Sequence, residues 1–379
     1  MQRATSEKRL LTLDHSSGLA RTGVLNLPHG PVRTPVFMPV GTQGSVKTIR
    51  GADLLEYGFE LVLANTYHLY LRPGVRAIES VGGLHDFMGW PRGVLTDSGG
   101  FQIWSLARLR KSSDEGYSFQ SHVDGSSHLL TPEKVVELQR AFGSDIAMVL
   151  DECLEQPSSR ERTERSLDRT LGWARRSKAM GPSSGQALFG IVQGGTFPDL
   201  RKRAAKELCE MGFDGYAMGG LSVGEERYST VRAVASSIEV LPETSPRYLM
   251  GVGKPDDLVD YVSMGVDMFD CVVPTRNARG GSFFVPGGHV NITNARFALD
   301  PRPVQDGCDC YACRNHSRAY LRHLFLAGEW LGPILATLHN LRYYARLMES
   351  IRKAIDRDAY HEFRQCWHET RESFDSETY

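Results

Sequence analysis

The sequence predicts an α/β fold, a (β/α)8 TIM barrel, on three observations. Eight short apolar runs recur between residues 35 and 276, they do not alternate with polar residues, and helical patterns lie between them. The runs are PVFMPV at 35–40, ELVLANT at 60–66, GVLTDSGG at 93–100, DIAMVLDE at 145–152, ALFGIVQGG at 187–195, GYAMGG at 215–220, RYLMGVG at 247–253 and MFDCVVPTR at 268–276. Continuous apolar runs fit strands buried on both faces of a parallel sheet. Strands alternating with helices fit a closed barrel, with a doubly wound open sheet as the structural alternative.

The helices between the runs carry their own boundaries. Thr131-Pro132 supplies an N-cap hydroxyl and a proline in the first turn, and Gly143 closes that helix. A second runs from about Ser159 to Gly181, and others cover roughly 197–212, 224–240 and 255–264. The long gap after the third run contains YSFQSHVDGSSHLL at 117–130, which alternates around an Asp124-Gly125 turn signal and reads as an inserted β-hairpin. After Gly281 the character changes. GSFFVPGGHVNITNARFALD reads as a second hairpin turning at Pro-Gly-Gly, followed by a cysteine cluster and a long helical stretch. The expected division is therefore a catalytic barrel over 1–281 and an appended metal-binding subdomain with C-terminal helices over 282–379.

Composition excludes several classes. Hydrophobic residues make up 41% and charged residues 23% of the 379, which is incompatible with a disordered or collagen-like chain. The net charge of −1 announces no global preference for nucleic acid, although a balanced sum hides local patches. No apolar stretch is long enough to span a membrane. The N-terminal MQRATSEKRLLTLDHSSG lacks the apolar core of a signal peptide. Seven cysteines, three of them clustered, favour a metal site in a reducing compartment over a disulfide framework, hence a cytoplasmic protein.

That cluster, Cys308-Asp309-Cys310-Tyr311-Ala312-Cys313, offers three closely spaced thiolates, most of a tetrahedral zinc site. His316, His323 and His339 are the candidates for a fourth ligand. Spacing disfavours His316, which would strain a loop already holding three ligands, and leaves His323 and His339 open. Four protein ligands imply a structural Zn2+, one per chain.

In an α/β barrel the chemistry sits at the C-terminal ends of the strands. The third run ends at Asp97-Ser98-Gly99-Gly100-Phe101, the fourth at Asp151-Glu152-Cys153 and the fifth at Gln193-Gly194-Gly195. The sixth ends at Gly220-Leu221, the seventh at Met250, and the eighth carries Asp270 and leads into Thr275, Arg276 and Arg279. Three carboxylates then converge on one mouth. A pair suits glycosidic-bond chemistry, with one nucleophile and one general acid/base. A third, with an amide and bare glycine backbone, suits a purine edge, and Phe101 with Met250 suits a stacked ring. Singly, each residue has a plainer reading. Asp97 fits an Asx turn, Asp270 a buried ion pair, the glycine pairs tight turns, Phe101 and Met250 core packing, and the arginines a solvated surface. Cys153 and Cys271 follow strand-end aspartates but lack a histidine partner. Joint placement at strand ends favours a site.

At these residues the sequence resembles the tRNA-guanine transglycosylases (the queuine tRNA-ribosyltransferase family), the bacterial type most closely. The resemblance rests on FMPVGTQGSVK at 37–47, NTYHLYLRPG at 65–74, LTDSGGFQ at 95–102, LFGIVQGG at 188–195, YAMGGLSVGE at 216–225, YLMGVG at 248–253, FDCVVPTRNARGG at 269–281, the cysteine motif and His-Asn-Leu at 339–341. It implies a pentosyltransferase that exchanges guanine at wobble position 34 of tRNAs with G-U-N anticodons, those for Asp, Asn, His and Tyr, by double displacement. Asp270 would be the nucleophile that forms a covalent tRNA intermediate, and Asp97 the general acid/base. Asp151, Gln193, Gly220 and the Leu221 carbonyl would bind the base, Phe101 and Met250 would stack on it, and Thr275, Arg276 and Arg279 would meet the RNA. Cys308, Cys310, Cys313 and His339 match the zinc ligands, and a homodimer through the zinc subdomain is expected.

The sequence departs from the family pattern at several positions. Leu221-Ser222-Val223-Gly224 stands where bacterial members usually carry Ala-Val and eukaryotic ones Ser-Gly after the leucine. Val223 leaves less room for the cyclopentenediol of queuine, so 7-aminomethyl-7-deazaguanine is the expected incoming base, with queuine second. Phe101 replaces a tyrosine of many bacterial members, and His316 an interface tryptophan. A non-catalytic tRNA-binding paralogue would have lost a catalytic carboxylate, and Asp97 and Asp270 are both present. A glycoside hydrolase acting on free sugars would not require the purine-edge residues or the arginines.

Overall fold

The computed structural model describes residues 9–107 and 109–374. The first eight residues of the N-terminal segment and the last five of the C-terminal unit lie outside the described residues. Eight parallel strands form one sheet, and each falls within one of the eight apolar runs. They are barrel strands 1 (Val36–Pro39), 2 (Leu61–Ala64), 3 (Gly93–Thr96), 4 (Ile146–Met148), 5 (Ala187–Val192), 6 (Gly215–Met218), 7 (Arg247–Leu249) and 8 (Met268–Cys271). The order is 1-8-7-6-5-4-3-2, and a parallel bridge between Val40 and Leu63 brings the two ends together, giving the barrel.

Every residue of strands 1 to 7 is buried, which explains why the runs do not alternate. Strand 8 is the exception: its last two residues, Asp270 and Cys271, are only half-buried. Helix boundaries follow the local chemistry. The Thr131 hydroxyl caps Pro132–Phe142 by accepting from the Lys134 amide, and Gly143 ends that helix in a left-handed conformation. Ser159 caps Arg160–Met180 in the same manner.

Three features differ from the sequence expectation. The insertion after strand 3 is a three-stranded sheet, in which Arg110–Ser112 joins the expected pair Tyr117–Gln120 and Ser127–Leu130. The helix expected at 224–240 starts only at Arg227, because Ser222 and Val223 donate their amides to the Glu225 carboxylate and hold a loop there. An unanticipated antiparallel sheet, Leu11–Ser17, Ala20–Leu27 and Gly30–Thr34, precedes the barrel. Its Arg21 forks onto Asp267, just before strand 8, at 2.8 and 2.6 Å, and its His29 reaches Asp145, just before strand 4, at 2.9 Å. It therefore lies at the N-terminal end of the barrel, away from the strand ends that carry the carboxylates.

The C-terminal portion begins with the hairpin Ser282–Val285 and Gly288–Asn291. Its longest helix, Leu331–Asp356, buries Leu335, Leu341, Tyr344, Ile351 and Ile355. Tyr344 stacks obliquely on Phe37 of strand 1 at 4.7 Å and donates its hydroxyl to the Gly253 carbonyl at 2.6 Å, so this helix packs on the barrel wall. Among the described residues, no helix is long and apolar enough to cross a membrane.

Candidate active site and metal centre

A cavity of about 750 Å³ opens at the C-terminal end of the barrel. Of the expected residues, Asp97, Phe101, Asp151, Gly220, Leu221, Met250, Asp270 and Arg276 border it. Gln193 lies behind this wall, donating its side-chain amide to Asp151 at 2.7 Å. Thr275 is buried with its hydroxyl donated to the Val272 carbonyl, and exposed Arg279 donates to the Thr275 carbonyl at 3.1 Å. Cys153 and Cys271 also border the cavity, and burial pushes both thiols up, Cys271 to about 11, so neither is an activated nucleophile.

Each carboxylate has a different cradle. Asp97 follows strand 3 and accepts from the Asn65 side-chain amide, from the Thr66 amide at 2.9 Å and from its own Asx-turn partner Gly99 at 3.2 Å. Burial outweighs these donors and pushes its carboxyl up to about 6. Asp270 accepts from the Gly251 amide at 2.7 Å and the Tyr248 hydroxyl at 2.5 Å, and burial raises it against both. Asp151, raised by burial too, accepts from Gln193 and from the Ser98 hydroxyl at 3.2 Å. A carboxyl with a pKa near 6 exchanges protons readily around neutrality. A second carboxylate held by two donors has a fixed oxygen to present to an electrophile.

Gly220 shows how tightly this wall of the cavity is built. Its φ is +65°, and a Cβ there would lie 2.3 Å from Gln193 Oε1. Only glycine takes that conformation without strain and lets the amide stand so close.

Asn65, Tyr248, Gly251 and Ser98 were not singled out as site residues by the sequence reading. Asn65 had a signal, because it immediately follows strand 2 and the strand-end rule applies there as well. Tyr248 carries the one polar side-chain atom of an otherwise apolar strand segment, Tyr248–Leu249, and a buried hydroxyl needs a partner.

The second constellation lies in the C-terminal portion. Cys308, Cys310, Cys313 and His339 converge so that their donor atoms all lie within 4.8 Å of one another, a group able to hold a metal ion. His339 Nδ1 is 3.8, 3.6 and 3.3 Å from the three sulfurs in turn. Its Nε2 is 2.7 Å from the Phe284 carbonyl, which fixes the tautomer with the proton on Nε2 and leaves the Nδ1 lone pair facing the thiols. His316 instead stacks on Tyr320 at 5.0 Å, and His323 is outside the group.

A third cluster, His29, His85 and Asp145, has a superficially similar composition. Its carboxylate already accepts from the amides of His29 and Val94 and from both imidazoles, at 2.8 to 3.1 Å. The rings lie face to face at 3.5 Å, so their lone pairs run parallel rather than converging on an ion. We read it as a hydrogen-bonded clasp.

The family model described as Queuine tRNA-ribosyltransferase matches residues 14–373. A queuine tRNA-ribosyltransferase from Thermoanaerobacter sp. (strain X514) is 53% identical over 363 residues, 96% of each chain. One from Desulforamulus reducens is 54% identical over 91% of this chain and 94% of its own. One from Thiobacillus denitrificans is 52% identical over 94% and 97%.

Proposed function

This chain belongs to the queuine tRNA-ribosyltransferase family, and from that premise we propose that it exchanges guanine at position 34 of G-U-N-anticodon tRNAs for 7-aminomethyl-7-deazaguanine through a covalent Asp270–tRNA intermediate. Membership makes it a tRNA-guanine transglycosylase, a pentosyltransferase. The observation that carries the mechanism is the convergence of three carboxylates in three different cradles, buried Asp97 and Asp151 and half-buried Asp270, on one cavity.

In this reading the target nucleotide leaves the anticodon-loop stack and enters the barrel mouth, at a lower cost than from a duplex. Asp270 Oδ attacks C1′ as the bond to guanine N9 breaks, and Asp97 supplies the proton that the leaving base requires. Guanine departs. The incoming base loses its N9 proton to Asp97 and displaces Asp270 from C1′, so two inversions give net retention. Asp151 accepts from N1–H and the 2-amino group, Gln193 holds Asp151 from behind, and Phe101 and Met250 border the ring. Ser222 N–H is turned toward Glu225, so the trans peptide sends the Leu221 carbonyl the opposite way, which suits an aminomethyl donor. Val223 borders the cavity and supports the smaller base over queuine. Arg276 at the rim, with Thr275 and Arg279 on the same helix, Val273–Arg279, serves the flanking RNA.

The thiol-rich donor set fits zinc, which Cys308, Cys310, Cys313 and His339 would hold. With four protein ligands the ion would tie the Cys308–Cys313 loop to the long helix and supply no chemistry to the reaction. We further assign the barrel to 1–281 and the zinc subdomain to 282–379, a homodimer through that subdomain, and a cytoplasmic location where tRNA is available.

The test is guanine exchange. Labelled guanine is incubated with the protein and an unmodified G-U-N tRNA, and label in the RNA is counted. Incorporation competed by 7-aminomethyl-7-deazaguanine more strongly than by queuine supports the reading. Asp270→Ala should bind tRNA yet leave no covalent adduct on a denaturing gel, and an adduct retained by that variant overturns the nucleophile assignment.

A further inference from the structure

Arg201 is the only arginine among the described residues with no solvent exposure at all, and it has no place in the mechanism above. It sits on the helix Pro198–Met211 that follows strand 5. Its Nε donates to the Gly195 carbonyl at 2.8 Å and its Nη1 to the Val192 carbonyl at 2.9 Å. Those two carbonyls bracket Gln193-Gly194. Among the described residues no carboxylate lies within ion-pair distance, and Nη2 has no partner. Burial accordingly pulls the guanidinium down to about 9. A charge kept in such surroundings with no ion-pair contact, and only the more distant Glu225 carboxylate to offset it, is costly, and the two carbonyl contacts are what it makes there.

The turn they hold is closely packed. Gly194 has a φ of +134°, and a Cβ there would lie 2.9 Å from the Arg201 amide nitrogen, so the strand end lies directly on the first turn of the helix. Gln193 leaves this clamped turn in the opposite direction. Its amide nitrogen reaches Asp151 at 2.7 Å, and its oxygen lies against Gly220. A chain of fixed contacts thus runs from the guanidinium through the 192–195 backbone and Gln193 to the Asp151 carboxylate.

We propose that Arg201 is a positioning residue for base recognition: by clamping the Val192 and Gly195 carbonyls it aims Gln193 at Asp151, and so sets the orientation and ionisation of the carboxylate that reads the purine. Arg201 touches no substrate, and its action is transmitted through Gln193. The inference rests on the base-reading role given to Asp151 and Gln193 above. Loosening the clamp lets Gln193 drift from Asp151, which removes a donor from the carboxylate and makes it harder to ionise. The purine then meets a carboxylate that is less often charged and less well oriented.

The experiment is a double-mutant cycle on the zinc-loaded protein with guanine exchange as the readout. Arg201→Met should raise KM for guanine about tenfold, the effect of one lost buried hydrogen bond, with kcat at saturating guanine nearly unchanged. The acid limb of 1/KM against pH should move to higher pH. Arg201→Lys, which keeps the charge but not the two-armed reach, should fall between. Gln193→Ala should raise KM alone, and adding Arg201→Met to it should raise KM little further, because both act on one link. If the two effects multiply independently, Arg201 does not act through Gln193 and the proposal is overturned. If Gln193→Ala leaves KM for guanine unchanged, the base-reading role itself falls. Should Arg201→Met fail to fold, Arg201→Lys carries the same cycle. A loss of kcat and melting temperature without a shift of the pH limb would mark Arg201 as merely structural.

Discussion

Asp97→Asn should make the protein inactive and, near neutral pH, more stable. Asp97 is only 7% exposed, and burial pushes its carboxyl up to about 6 from an ordinary value of 3.8. A carboxyl raised on folding binds protons more tightly in the folded state than in the unfolded one, so stability falls as pH rises. The cost is absent below 3.8, grows between 3.8 and 6, and is complete above 6. Two-point arithmetic gives about 1 kcal/mol at pH 4.5 and about 3 kcal/mol at pH 7.5 from those pKa values. Asparagine removes the titration. Its Oδ1 keeps the Thr66 and Gly99 amides, while Asn65 must turn its own amide to present oxygen to the new NH2 group, a term that does not depend on pH. The gain of the variant over wild type should therefore be larger by about 2 kcal/mol at pH 7.5 than at pH 4.5. Chemical denaturation of both proteins at the two pH values reads this directly, with zinc kept saturating. A difference that is the same at both pH values would refute a raised carboxyl at 97, and with it the argument that Asp97 exchanges protons readily enough near neutrality to serve the leaving base.

Three further outcomes follow from the same geometry. Tyr248→Phe removes one of the two donors on Asp270, worth about 1.5–3 kcal/mol for a charged acceptor, so the acid limb of kcat/KM should move up by about one to two pH units; an unmoved limb means the hydroxyl does not hold the nucleophile. Gly220→Ala places a Cβ against the Gln193 oxygen at a φ of +65° and should raise KM for guanine while costing about 1–3 kcal/mol of stability, measured by exchange kinetics and denaturation. His339→Ala should abolish tight binding of one zinc per chain by elemental analysis and lower the melting temperature, and chelation should lower the wild-type melting temperature but leave that of the variant in place; retention of stoichiometric zinc by the variant would remove His339 from the ligand set.

The barrel was legible because its strands are buried on both faces and their apolar runs are uninterrupted. The N-terminal sheet was not, because its first strand buries almost nothing and only parts of the next two alternate. In Leu11–Ser17 only Leu11 is buried, and the sheet is tied down by contacts remote in sequence, such as Arg21 reaching 246 residues ahead to Asp267. The same division runs through the site. Asp97, Asp151 and Asp270 announced themselves by position at strand ends, whereas Asn65 and Tyr248 act on carboxylates of neighbouring strands, 32 and 22 residues away. Sequence proximity registers what one strand presents, but not what the adjacent strand donates to it.

The choice between His323 and His339 turns on the same distinction. Spacing counts residues between candidate ligands and left the two open. What separates them is a ring nitrogen. The helix Leu331–Asp356 runs back over the hairpin at 282–291, and there the Phe284 carbonyl takes the Nε2 proton of His339. The other nitrogen must then carry its lone pair toward the three sulfurs. No carbonyl plays that part for His323 among the contacts of the described residues. A ligand is selected by the partner that orients its far side, and that partner, 55 residues away in the chain, belongs to a different element of the fold.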